Sequence, residues 1–296
     1  MQHEYTEEIF QKASLLQLTT SGWSGSKSVD PGLLAKQSDW VKGRKFLINP
    51  ELLGQIKTAS HQARNKIKKY ALPFPLQSVQ LVPKEYISSV EEILQHQHQK
   101  FWEKVYEFEN VYAEAREEAK QVLGELFNPN DYPLEIRRKF NFSWQFLALQ
   151  VPAQTAILSP EIYEREKQKF EGLMHETREM CMQALRTEFS DLLQELVDKL
   201  GANGDKPKKI VANSMFNRLH EFFSEIQTKN IFQDTELMEL TESAKNIISQ
   251  TSPHNLKYNE NVREKIKAEM QDLQSMVEQS IIDLPRRQIR MDEEAA

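Results

Sequence analysis

The chain offers 7 histidines, 1 cysteine and 44 carboxylates for chemistry, and their spacing decides what they can do. His96 and His98 stand two apart on a strongly helical stretch, which turns them to different faces, whereas a metal pair on a helix needs three or four. His175-Glu176 lacks the second histidine four residues on that a zinc-protease helix requires. Glu92-Ile-Leu-Gln95 and Glu171-Gly-Leu-Met174 end on a residue other than the histidine that a di-metal helical bundle uses. Glu103, Glu107, Glu109, Glu114, Glu117, Glu118, Glu161, Glu164 and Glu166 therefore read as solvated helix faces with Glu–Lys pairing. No phosphate-cradling Walker loop, dinucleotide glycine pattern or Gly-x-Ser-x-Gly occurs. Cys181, alone and flanked by Met180 and Met182, excludes an intrachain disulfide and reads as a packed thiol. No catalytic set, metal site or cofactor is expected.

The cations are more informative. Between Pro31 and Tyr70, Lys36, Lys42, Arg44, Lys45, Lys57, Arg64, Lys66, Lys68 and Lys69 face only Asp39 and Glu51. That stretch carries +7 in a chain of net charge −6, which leaves −13 for the remainder. Lys57, Arg64 and Lys68 fall at steps of seven and four, one face of a helix. With Lys42, Arg44, Lys45, Lys66 and Lys69 they offer a surface to phosphates, to an acidic protein partner, or to acidic helices of the same molecule. The negative global field argues against broad nucleic-acid binding and leaves room for one local basic face.

Helices must position these groups. From Ile87 to Leu126 apolar residues recur at Val90, Leu94, Phe101, Val105, Phe108, Tyr112, Ala115, Ala119 and Val122, close to a coiled-coil repeat. His98 falls on this stripe as a polar interruption of the kind that fixes register. At 1.5 Å per residue the helix would be roughly 60 Å long and needs a partner along its flank. Ser159-Pro160-Glu161 combines a cap, a first-turn proline and a favourable charge, and opens a second long helix reaching Leu200. Its stripe is Phe170, Met174, Thr177, Cys181, Leu185, Phe189, Leu192, Leu196 and Leu200. The two predict an antiparallel hairpin in which each covers the other. Phe101, Trp102, Tyr106 and Phe108 then read as hairpin core or, where the stripe is open, as a protein-contact surface.

Around the rods, strands are predicted near 15–20, 76–82 and 140–151. Helix starts fall at Asp30-Pro31 and at Asn49-Pro50-Glu51, the latter running to about Tyr70, and a short helix is predicted at 134–138. Beyond the Gly201–Lys209 linker, helices are predicted at 211–228, 235–250 and 258–283, followed by a fraying tail. The implied domains are a mixed base (1–82), a long hairpin (83–202), a C-terminal helical subdomain (210–283) and the tail (284–296). Nine glycines, roughly 3% against a usual 7%, favour long helices over a turn-rich β fold. Met1-Gln-His-Glu-Tyr-Thr-Glu-Glu8 is acidic where a signal peptide is basic, and the most apolar run, Trp144–Ala153, is about half a membrane span. A soluble, cytoplasmic protein with no membrane contact is expected.

The first half, about residues 14–150, resembles the domain-of-unknown-function 3150 family of phage, plasmid and bacterial proteins. The resemblance is carried by Leu16-Gln-Leu with Trp23-Ser-Gly25, by Lys42-Gly-Arg-Lys-Phe-Leu-Ile-Asn-Pro50 with Leu52-Leu53, and by Ala63-Arg64, Tyr70-Ala-Leu-Pro73 and Leu81-Val-Pro83. It implies no catalytic residues. By association with MoxR-like AAA+ ATPases and von Willebrand factor A-type proteins, it implies an accessory role in an ATPase-driven assembly.

The sequence thus predicts a mainly α fold: an elongated, coiled-coil-like antiparallel hairpin on a small mixed α/β base, with a C-terminal helical subdomain. The expected function is that of a non-enzymatic helical interaction or scaffold protein, docking a second copy or another subunit. The alternative is a nucleic-acid-binding accessory protein using residues 36–69. A third reading is an enzyme with a site on the small sheet near Trp23 and Trp144.

Overall fold

The computed structural model describes residues 9–29, 43–149, 159–201 and 213–281. Among them the strands are β1 (Ala13–Ser21), β2 (Ser26–Ser28), β3 (Arg44–Phe46), β4 (Leu72–Pro73), β5 (Val79–Pro83) and β6 (Asn141–Leu147). The helices are α1 (Gly54–Lys68), α2 (Ile87–Leu123), α3 (Pro160–Leu200), α4 (Asn213–Lys229), α5 (Thr235–Ser249), α6 (Pro253–Tyr258) and α7 (Glu260–Ser280). The fold is mainly helical with a small antiparallel sheet. It divides into two compact units, a mixed unit of Ser14–Ala71 with Leu76–Ala148, and a helical unit of Met1–Ala13, Leu72–Pro75 and Leu149–Ala296.

In the mixed unit β1 pairs antiparallel with β6, Leu18 opposite Trp144 and Thr20 opposite Phe142, and β5 lies on the other side of β1. The three strands match those predicted. The hairpin of β2 and β3, Ser26 opposite Phe46, was not predicted, because strands of three residues carry no readable period. Asn49 opens the next element as expected. Its side chain accepts from the Glu51 amide at 3.0 Å, and Pro50 begins a 3-10 turn that runs into α1. One side of α1 buries Ile56, Ala59, Ala63 and Ile67 against α2. The Tyr70 and Tyr86 rings meet at 5.3 Å where α1 ends and α2 begins, so the two helices run antiparallel.

The buried seam of α2 is Val90, Leu94, Gln97, Phe101, Val105, Phe108, Tyr112, Ala115 and Ala119. The polar residue within it is therefore Gln97, fully buried, and not His98 as the sequence suggested. Continuing in steps of three and four from Val90 selects 97 and 101, and His98 turns toward β6. Val122, expected on the stripe, is 78% exposed.

In the helical unit Ser159 caps α3, its hydroxyl accepting from the Ile162 amide at 3.4 Å. The later half of α3 pairs antiparallel with α7. Gln274 donates to Gln194 at 2.6 Å, Arg186 donates to the Ser280 carbonyl, and Gly201 lies beside Lys267. Phe189 of α3 stacks on Phe222 of α4 with ring centroids 5.2 Å apart and planes 2° apart. Each long helix thus has an antiparallel cover inside its own unit, α1 for α2 and α7 for α3, pairings the sequence did not indicate. The predicted helix at 258–283 is α7, which starts at Asn259, whose side chain accepts from the Val262 amide at 3.2 Å; the short α6 before it was not predicted. The segment at 134–138 is a 3-10 turn, Ile136–Lys139. The Asp30-Pro31 helix start, Lys36, Lys42 and the 284–296 tail lie outside the described residues.

Candidate functional site

Three features of the mixed unit could meet a partner, and all are built on α1 and α2. The first lies on α2. His98, Trp102 and Tyr106 recur every four residues and so share one helix face, next to the buried seam. The His98 ring stands edge-on to Phe142 and Trp144 of β6, 5.6 Å from each. The Trp102 indole N–H donates to His98 Nε2 at 3.0 Å, which fixes the indole, and the Trp144 N–H donates to Glu91 at 2.7 Å. Tyr106, 49% exposed, lies beside Trp102 and under the Arg137 guanidinium, 5.8 Å from its ring centroid. Lys104 pairs with Glu107 at 2.7 Å. His98, Trp102, Glu103, Tyr106, Glu107 and Arg137 line an open groove of about 740 Å³.

Of the four aromatic residues selected from sequence, Phe101 and Phe108 are buried in the core, and Trp102 and Tyr106 reach the groove. His98 and Arg137 were missed. The four-residue spacing of 98, 102 and 106 could have found the histidine. Nothing in the sequence points from Tyr106 to Arg137, which lies on the 3-10 turn Ile136–Lys139.

The second feature is the outer side of α1. Lys57, Lys66 and Lys68 are exposed and Arg64 is half-buried. The helix contains no acidic residue, and among the described residues none of these four cations has an ion-pair partner. Ion pairs do form on α3, as in Lys169–Glu166 and Lys199–Glu195. His61 completes the stripe 57–61–64–68 and was missed. Lys45 belongs to a different structure. Its ammonium pairs with Asp131 at 2.7 Å and donates to the Leu126 carbonyl at 2.6 Å, and Lys27 holds the same carboxylate at 2.7 Å. Burial alone would raise the pKa of Asp131, but the hydrogen bonds from Lys27 and Lys45 outweigh it and hold the carboxyl below its ordinary range. Lys45 is thus a clasp between β3 and the turn after α2. Arg44 and Lys69 are exposed, and Lys42 lies outside the described residues.

The third feature is a pocket of about 210 Å³ beside the start of α1, floored by Trp23, Leu53, Ile56, Phe101 and Phe140. On the 3-10 turn that leads into α1, the turn after β1 seats closely at Gly25. Its φ of +61° favours glycine, and a Cβ there would stand 2.6 Å from a Leu53 methyl.

Among the described residues no three His, Cys, Asp or Glu side chains are grouped to hold a metal ion, and no helix is long and apolar enough to cross a membrane. Cys181 is fully buried, its S–H donating to the Pro73 carbonyl at 3.3 Å, and burial pushes its thiol pKa up, away from the reactive thiolate. No family model, curated protein or solved structure matches the chain.

Proposed function

We propose that the chain is a non-enzymatic helical interaction protein that docks a partner protein in the α2 groove. The observation that supports this reading is the composition and exposure of that groove. Tryptophan, tyrosine and arginine are the side chains that most often carry the binding energy of protein interfaces. Here Trp102 is fixed by His98 and Arg137 lies over a half-exposed Tyr106. Rings held in place before binding lose little conformational freedom when a partner covers them. The resemblance to the domain-of-unknown-function 3150 family directs the search for that partner to subunits of phage, plasmid or ATPase-associated assemblies, a second copy included.

The test is co-purification of the full chain from its host with Tyr106→Ala and Arg137→Glu variants. Each should lose a stoichiometric partner that the unaltered chain retains, while circular dichroism stays unchanged. Equal recovery of partners by all three proteins would remove the groove from consideration.

The basic stripe of α1 supports a second reading, a nucleic-acid-binding accessory protein. Phosphate contacts release counterions, so each one adds about −0.9 to the slope of log K against log salt on duplex DNA. Charge reversal at Arg64 and Lys68 should then flatten that slope as well as weaken binding. Binding that ignores both substitutions would exclude this use of the stripe.

A further inference from the structure

The pocket beside α1 has a polar rim of which the readings above use only Lys57 and His61, on the basic stripe. Thr20, Ser21 and Ser24 come from the end of β1 and its turn, and Lys57, Ser60 and His61 come from α1. Lys57, Ser60 and His61 fall at steps of three and four, which turns all three to one side of the helix. The Ser24 hydroxyl is engaged locally, donating to the Ser26 carbonyl at 3.1 Å. The other rim groups supply three hydroxyls, an ammonium and an imidazole. No aspartate or glutamate lines the pocket, and among the described residues Lys57 has no ion-pair partner. A cation would be repelled there. A carboxylate has two oxygens for five donor groups, whereas a terminal phosphate has three oxygens and about twice the charge. The apolar floor, with the rings of Trp23, Phe101 and Phe140, suits an anion attached to an aromatic group. The volume of about 210 Å³ is below that of sites enclosing a whole drug-sized ligand, so one end of the ligand is seated and the rest is open to solvent.

We infer that this pocket binds a phosphomonoester that carries an aromatic group, as a mononucleotide does, with Lys57 as the charge partner and Thr20, Ser21, Ser60 and His61 as hydrogen-bonding groups. The inference is independent of the α2 groove and shares Lys57 and His61 with the basic stripe.

Titration calorimetry on the full chain tests it with adenosine 5′-monophosphate, adenosine, and a short DNA strand with and without a 5′-phosphate. The nucleotide should bind about tenfold more tightly than adenosine, and Lys57→Met and His61→Gln should each weaken it about fivefold. The paired Lys66→Met and Lys68→Met change, on the stripe and outside the pocket, should leave it unaltered. A 5′-phosphorylated strand that binds more tightly than the free nucleotide assigns the pocket to strand ends, and the reverse order assigns it to free mononucleotides. Equal affinity for adenosine and its monophosphate, no binding at millimolar nucleotide, or an equal loss from the Lys66 and Lys68 changes would overturn the proposal.

Discussion

Gln97 stands fully buried on the inner face of α2, and neither its amide oxygen nor its nitrogen meets a hydrogen-bond partner among the described residues. An unsatisfied buried polar group costs about 1–3 kcal/mol. Gln97→Met keeps the volume and removes that cost, so it should raise the denaturant midpoint of the mixed unit without changing the slope. A lower midpoint would mean that the amide is satisfied in solution. Asp131 makes the opposite case, a buried carboxylate with two lysine partners. Its folded pKa lies below the ordinary value. The stability it contributes is therefore fully present above the unfolded pKa, near 3.9, and is lost as the pH falls through the folded value. Asp131→Asn should cost about 1–3 kcal/mol at neutral pH and flatten the fall in stability below about pH 4. An unchanged acid limb would show that other carboxylates dominate it.

At the scale of elements, the ion network around Arg186 joins α3 to α5 and α7. Its guanidinium takes both oxygens of Asp234 at 2.8 and 2.9 Å, reaches Glu236 at 2.9 Å and donates to the Ser280 carbonyl. Asp234 also caps α5, accepting from the Leu237 amide at 3.1 Å. Arg186→Met leaves that carboxylate buried without its cation, at a cost of about 3–5 kcal/mol. Hydrogen exchange should speed up along α3, α5 and α7 and stay unchanged in α1 and α2, which belong to the other core. Exchange that rises equally in both units would contradict two separate cores.

The helices themselves were legible in the sequence. The Ser159-Pro160 cap gave the start of α3, and the stripe from Val90 to Ala119 gave the body of α2. Their partners were not, because an apolar stripe records that a face is covered and not by what. α1 and α7 each carry a stripe that serves, and the sequence does not rank them. The choice of Gln97 over His98 was equally hidden, since positions 97 and 98 both fit a helical step from Leu94. In the candidate site, Trp102 and Tyr106 were readable as part of an aromatic cluster on a long helix, while Arg137 and the rim of the pocket depend on chain segments that meet only after folding.

For the whole molecule the most telling property is the uneven charge. The net charge is −6, yet α1 carries Lys57, Arg64, Lys66 and Lys68 with no acid of its own. Among the described residues those four cations have no ion-pair partner, whereas the α2 groove mixes Glu103, Glu107 and Arg137 around its aromatic rings. A partner held mainly by those rings should be lost little by added salt, and one held by the α1 stripe should be lost steeply. The most direct measurement is photo-crosslinking in the native host from a benzoylphenylalanine placed at position 106 of the full chain, with the same probe at exposed Val122 as the control. Docking in the groove predicts one discrete protein adduct at 106 that Arg137→Glu abolishes. No adduct at 106, or the same adduct from both positions, would contradict it.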